Sequence, residues 1–249
     1  MKALSKDQVA AFRCDGFLYP FALLNEAERL GCLEGLARDP RILDKVEALL
    51  GPDFMMLTST FFIKEPNTPT IAAWHQDSTY YGLEPAEEVT VWVALTDANH
   101  AVGCMGVLPF DGAPRQMRHA ANVVENSVNR AAQVVMEAFD ESHVVTMEVK
   151  AGQFSIHHGL CPHRSGPNTA SHRRIGLGLD YIPGHVRSIG AFQTAAMPVR
   201  GEDHWGHFEL VTPPKTELDT DALATRERAL APYRATYREQ EALHMRRFA

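Results

Sequence analysis

The sequence predicts a mainly β protein: a double-stranded β-helix, or jelly roll, with α-helices flanking it at both ends. Residues 53–212 hold short runs rich in β-branched and aromatic residues, separated by Gly, Pro and Asn turns. Residues 1–52 and the tail 213–249 carry helix start and stop signals instead. No repeat, low-complexity tract or Gly/Ser linker interrupts the 249 residues, so one domain over 1–249 is expected.

Taken in order, Ser5 caps a helix over Lys6–Cys14, and Asn25 caps another over Glu26–Leu36. Asp39-Pro40 opens a third that Gly51-Pro52 ends. Strands are expected at Phe54–Lys64, Glu88–Thr96, Val102–Pro109, His143–Val149, Phe154–His158 and Arg174–Ile182. Asp219 or Thr220 then starts a charged helix running to about Arg246. A jelly roll closes such strands into two sheets and leaves a mouth for a ligand.

Composition narrows the function. Thirty-one acidic against 24 basic residues give a net charge of -7, with no basic run, which argues against nucleic acid or an anionic membrane as partner. The first thirty residues lack the pattern of a secretory signal, and no apolar stretch is long enough to span a bilayer. Cys14, Cys32, Cys104 and Cys161 are too scattered for a zinc knuckle or redox motif, and are read as reduced thiols of a cytoplasmic protein. The expected partner is a small-molecule substrate.

The chemistry concentrates in three segments. Trp74-His75-Gln76-Asp77 sets an imidazole and a carboxylate two residues apart, and in extended backbone both point to one side. Gly152-Gln153-Phe154-Ser155-Ile156-His157-His158 and His163-Arg164-Ser165-Gly166-Pro167-Asn168 add further imidazoles, and Arg173-Arg174 follows. Two imidazoles and one carboxylate leave open positions on an ion, the arrangement of oxygen-activating Fe(II) sites. A 2-oxoglutarate cosubstrate would chelate that iron and extend a second carboxylate toward a guanidinium and a hydroxyl. Ser165 and Arg174 suit this role. Arg174 shares its strand face with Gly176 and Gly178, whereas Arg173 shares its face with Ile175, Leu177 and Leu179. His163 is preferred over His157 and His158 as third ligand, because its spacing to Ser165 and Arg174 sets the anchor beside the metal. His204 and His207, Arg115 and Arg118, and Cys161 are read as loop or core residues, and His119 as an ordinary histidine.

Together, Trp74-His75-Gln76-Asp77, Trp92, His163-x-Ser165-x-x-Asn168 and Arg174 resemble the phytanoyl-CoA dioxygenase family. The likeness runs from Asp15-Gly16-Phe17 to Gly206-His207-Phe208-Glu209. It implies a cupin-like jelly roll, metal ligands His75, Asp77 and His163, and Fe(II), 2-oxoglutarate and O2 as cofactor and cosubstrates. It also implies Trp92 beside the 2-oxoglutarate, Arg174 and Ser165 on its far carboxylate, and oxidative decarboxylation coupled to attack on a C–H bond. Two departures bear on substrate binding: a shortened helical region near Leu36–Asp39, and Pro109-Phe110-Asp111-Gly112 in place of the family's Pro-Gly-Ser-His turn. Asp77 fills the position that a halogenase leaves for chloride. A cupin-like isomerase or lyase, or a decayed non-enzymatic metal-binding member, are the readings from other classes.

Overall fold

A computed structural model describes residues 3–23, 35–121, 124–129, 133–216 and 219–247. Helix α1 (Lys6–Asp15) begins at a capping box between Ser5 and Gln8 and ends where Gly16 turns left-handed, φ 86°. Strand β1 (Phe17–Ala22) follows, so the stretch 1–52 is not purely helical as expected. Its Phe-Leu-Tyr-Pro-Phe run suits an edge strand, where proline costs no ladder bond, and the register shifts between Leu18 and Phe21. The helix expected over Glu26–Leu36, and Cys32 with it, lies almost wholly outside the described residues; Leu36–Arg38 forms a short 3-10 turn. Helix α2 (Pro40–Leu50) has Asp39 as cap and proline in its first turn.

The core strands are β2 (Phe54–Lys64), β3 (Ala72–His75), β4 (Leu83–Glu84, after the one-turn helix α3, Ser78–Tyr81), β5 (Val89–Ala94) and β6 (Met105–Val107). Then come β7 (His119–Ala121), β8 (Gln133–Val135), β9 (Val145–Met147), β10 (Gln153–His158), β11 (His163–Ser165) and β12 (Arg174–Pro183). Finally β13 (Arg187–Ser188), β14 (Ala195–Arg200) and β15 (Glu209–Leu210) precede α4 (Thr220–Arg247). The larger sheet runs β1-β10-β5-β12-β2-β14-β15 and the smaller β3-β11-β6-β9, the two faces of a double-stranded β-helix. Strands expected at Val102–Pro109 and His143–Val149 are shorter than their apolar runs, because 3-10 turns at His100–Val102 and Glu141–His143 take up their starts.

Alternation along the larger sheet decides where the core and the site lie. Val91, Val93, Ile156, Leu177, Leu179 and Tyr181 face outward and pack with Phe12, Ile42 and Val46 of the N-terminal helices. Each such fully buried aliphatic side chain contributes about 1.5–3 kcal/mol. The alternate residues Thr90, Trp92, His157, Arg174 and Asp180 are polar or amphipathic and nonetheless buried, so they line the barrel's interior. Tyr233 and Tyr237 of α4 pack on Met55, Tyr80, Tyr81 and Ile182 beside the barrel.

Candidate metal centre

Strands β3 and β11 are antiparallel neighbours with His75 and His163 as Cα partners. Residues directly opposite on such a pair point to one face. The register therefore sets the two imidazoles side by side, ring centroids 4.1 Å apart. His75 Nδ1 lies 2.7 Å from the Ala73 carbonyl, and His163 Nδ1 lies 3.1 Å from that of Cys161. A carbonyl only accepts, so each Nδ1 carries its proton and each Nε2 keeps a free lone pair. Burial lowers the His75 pKa to about 4 and lowers that of His163 as well. Both rings are thus neutral at physiological pH, as metal ligands must be.

Asp77 Oδ1 stands 3.6 Å from His75 Nε2 and 3.8 Å from His163 Nε2. It arrives there by a different route from the extended one expected. β3 ends at His75, and Asp77 has helical backbone at the start of α3, φ −64° and ψ −37°. The intervening Gln76, buried, locks this turn. Its Nε2 donates to the carbonyls of Leu160 (2.5 Å) and Arg115 (2.9 Å), and its Oε1 accepts from the Met117 N–H (2.7 Å). The Gln76 N–H donates to Nε2 of His119, also buried, at 3.2 Å. Gln76 and His119 are positioning residues that the sequence pattern does not flag. A side chain inside the His-x-Asp motif reads as a spacer until its hydrogen-bond partners are known.

The far oxygen of Asp77 is held too, with Oδ2 3.2 Å from both His157 Nε2 and Thr90 Oγ1. His157 therefore touches the carboxylate, while His163 stands beside His75. Burial pushes the Asp77 carboxyl up, but His163, the His157 hydrogen bond and His75 outweigh it and hold it well below the usual range. Among the described residues, His75, Asp77 and His163 offer ligand atoms all within 4.8 Å of one another. This set fits Fe(II) by its chemistry: two imidazoles and one carboxylate on one side of an ion.

Along β12, Arg174 points into the barrel and is 5% exposed, whereas Arg173 lies outside and pairs with Glu65 at 2.9 Å. The Arg174 guanidinium donates to the Gly103 carbonyl (2.6 Å), sits 5.4 Å from the Trp92 ring centroid and, among the described residues, leaves its Nε without a partner. Trp92 lies flat over Gly176, where a Cβ would come within 2.0 Å of its ring. The register partner of Arg174 is Lys64, 4% exposed and hydrogen-bonded to the Gly166 carbonyl. Burial, and then Arg174 itself, lower the Lys64 pKa to about 7; burial lowers that of Arg174 to about 10. Among the described residues no carboxylate pairs with either. Two buried cations without a counter-charge fit the far carboxylate of 2-oxoglutarate. Lys64 escaped the sequence reading because it ends an apolar strand and looks like a solvated terminus. Ser165 lies on β11 two residues past His163, and among the described residues no hydrogen bond joins it to Arg174.

On the opposite side of Asp77 lie Glu88 and Asp180, both buried. Burial, then Asp77, push the Asp180 carboxyl up to about 7 and that of Glu88 well above the carboxylate range. The remaining sequence candidates stand apart. Arg115 pairs with Glu137 at 2.6 Å, and His207 Nδ1 meets the Val186 carbonyl at 3.0 Å. The Pro109–Gly112 turn is packed against the N-terminal helix: Phe110 bonds the Asp15 carbonyl through its N–H, and its ring covers Gly16 and meets His158 edge-on. Cys14, Cys104 and Cys161 are free thiols, and among the described residues no helix is long and apolar enough to cross a membrane.

The profile of the phytanoyl-CoA dioxygenase family matches residues 12–176. Similar curated proteins include phytanoyl-CoA dioxygenase domain-containing protein 1 of Danio rerio, 31% identical over 140 residues, covering 53% of this chain and 45% of that one. Another is a probable alpha-ketoglutarate-dependent hypophosphite dioxygenase of Stutzerimonas stutzeri, 25% identical over 179 residues, covering 71% and 58%. The chain spans about half the length of the curated relatives it matches. Among solved structures, the apo non-heme monooxygenase ThoJ superposes with a TM-score of 0.82 at 27% identity, covering 93% of this chain and 98% of that one. CytC3 with Fe(II) and alpha-ketoglutarate, 20% identical with a TM-score of 0.62 over 84% and 93%, shares the fold.

Proposed function

Because this chain belongs to the phytanoyl-CoA dioxygenase family, we propose that it is a non-haem Fe(II)- and 2-oxoglutarate-dependent dioxygenase that hydroxylates a small molecule. The observation that supports it best is the meeting of His75 Nε2, His163 Nε2 and Asp77 Oδ1, with the Arg174–Lys64 pair buried in the same barrel. Fe(II) and 2-oxoglutarate would supply the oxidation when bound, with O2 as oxidant and succinate and CO2 as co-products.

The chain's own residues do the positioning. His75, Asp77 and His163 would hold the iron on one side, and their backbone-bonded Nδ1 protons keep the two rings aimed. Arg174 and Lys64 would fix the cosubstrate's far carboxylate by charge, and the guanidinium adds a directional fork. Trp92 would lie along the cosubstrate and exclude water from its carbon chain. Ser165 is assigned a contact with the same carboxylate. Asp77 occupies the position a halide would need, which favours hydroxylation over halogenation.

The test is Fe(II)-dependent release of succinate from 2-oxoglutarate by the purified protein, across a panel of small-molecule substrates. Succinate that appears with iron and disappears in His163→Ala supports the reading. Absence of any 2-oxoglutarate binding to the iron-loaded protein would overturn it, in favour of a non-enzymatic metal-binding protein.

A further inference from the structure

The two imidazoles of the metal centre stand on unequal supports. His163 belongs to β11, which pairs on one side with β3 and on the other with β6. His75 ends β3, the edge strand of the smaller sheet. Each ring is aimed by a bond from its Nδ1 to the carbonyl two residues earlier, which for His75 is that of Ala73. At a sheet edge the outward backbone groups have no neighbouring strand to fix them. Whatever holds Ala73 therefore holds the His75 ring.

That support comes from the segment 124–129. Ile71 bridges Ser127 in parallel: the Ile71 N–H donates to the Asn126 carbonyl and the Val128 N–H to the Ile71 carbonyl, both at 2.9 Å. A parallel ladder is evenly spaced, and its next rung falls two residues on, at Ala73. There the side-chain amide of Asn129 takes the place of backbone. Its Oδ1 accepts from the Ala73 N–H at 2.7 Å, and its Nδ2 donates to the Ala73 carbonyl at 3.3 Å. Ser127 Oγ is a second acceptor for that N–H at 3.2 Å, and also donates to Asn129 Oδ1 at 2.7 Å. Nδ2 further lies 3.3 Å from both the Tyr80 hydroxyl and the Gln133 carbonyl. Among the described side chains, Asn129 alone meets both backbone groups of Ala73. The Ala73 carbonyl has two lone pairs, so it takes one proton from Asn129 and one from His75.

We infer that Asn129 is a positioning residue for the metal centre. Its amide replaces a missing strand at the edge of the smaller sheet and, through Ala73, fixes the aim and the tautomer of His75. The inference rests on the dioxygenase reading for what His75 then does, which is to present Nε2 to iron. His163 needs no such brace, because its strand is held from both sides.

The test begins on the full chain without metal, carrying isotope-labelled histidine. Nuclear magnetic resonance should show a slowly exchanging ring N–H for His75, identified by its loss in His75→Gln, and another for His163. Asn129→Ala should abolish the His75 signal and leave that of His163 in place. Asn129→Asp keeps an acceptor for the Ala73 N–H, and so keeps the edge paired, but turns an anionic oxygen toward the carbonyl. It should lose the His75 signal as well, with a melting temperature close to that of the wild type. Fe(II) affinity, measured anaerobically by competition with a chelator, should fall about tenfold in both variants. An unchanged His75 signal and iron affinity in both would overturn the inference. Equal disturbance of His75 and His163 would also overturn it, since that marks a general loosening of the sheet. If the wild type binds no Fe(II) while its His75 signal still depends on Asn129, the dioxygenase reading falls and the brace stands.

Discussion

Gly176 is the floor on which Trp92 lies: a Cβ at residue 176 would stand 2.0 Å from Cζ2 and 2.4 Å from Cε2 of that ring. Neither neighbour can yield easily, since Trp92 is buried and also carries the Arg174 guanidinium over its face. Gly176→Ala should therefore expel the ring, at a cost of about 1–3 kcal/mol for overpacking. Denaturant unfolding should show the loss, and tryptophan emission should shift as the indole leaves its site. An unchanged midpoint and spectrum would mean that the barrel has slack here.

The cosubstrate anchor makes a prediction with a pH sign. Lys64 is held near a pKa of about 7, so its charge is present below that value and lost above it. 2-Oxoglutarate affinity should accordingly weaken as pH rises from 6 to 8, and Lys64→Met should flatten that dependence. Stability of the free protein moves the other way. The unfolded lysine binds its proton up to about 10.4, so between the two values the unfolded state holds more protons and stability rises with pH. Arg174→Lys keeps the charge but loses the fork, and should raise the apparent Kd for 2-oxoglutarate while iron binding persists. Should Arg173→Lys do this instead, the strand faces assigned to the two arginines are reversed.

In the proposed centre, the contact of His157 Nε2 with Asp77 Oδ2 leaves Oδ1 as the oxygen that would face the metal. Removing a hydrogen-bonding partner behind a ligand typically costs about 10–100-fold in metal affinity. His157→Phe fills similar space and leaves Asp77 free to swing, so Fe(II) affinity should fall by about that factor, measured by competition with a chelator. Wild-type affinity in the variant would show that Thr90 alone holds the carboxylate.

Gln76→Leu keeps the volume within the His-x-Asp turn and deletes its polar contacts. The Met117 N–H and the Leu160 and Arg115 carbonyls would lose their partner, each at about 1–3 kcal/mol where no water replaces it. A destabilisation of about 2 kcal/mol or more, with weaker metal retention, is expected from thermal unfolding and metal titration.

Much of this was legible in the sequence because it depends on local signals. Asp39-Pro40 and Gly51 mark the ends of α2, and alternation around Val91 and Val93 marks β5 as half core and half site. The His75, Asp77 and His163 trio was legible as a donor set with anchored spacing. Its geometry was not, because β3 has only four residues, β11 only three polar ones, and Asp77 sits in helical backbone. Partners distant in the chain were the least legible. Lys64 meets Arg174, His157 meets Asp77 and His119 meets Gln76 only through the sheet order, which no local pattern encodes. β1 was missed because a proline-containing run reads as a connection until a sheet edge is there to receive it.

The pairing of His75 with His163 across the smaller sheet also sets a timetable. Strands so far apart in sequence pair late, because their loop-closure entropy must be met before any contact rewards it. The ligands therefore converge only in a closed barrel, and a nascent or unfolded chain offers an ion little more than scattered histidines. Metal loading follows folding and stabilises its end product by mass action, so the melting temperature should climb with free ion concentration. In the proposed centre, a divalent ion that competes with iron would load the folded barrel in its place.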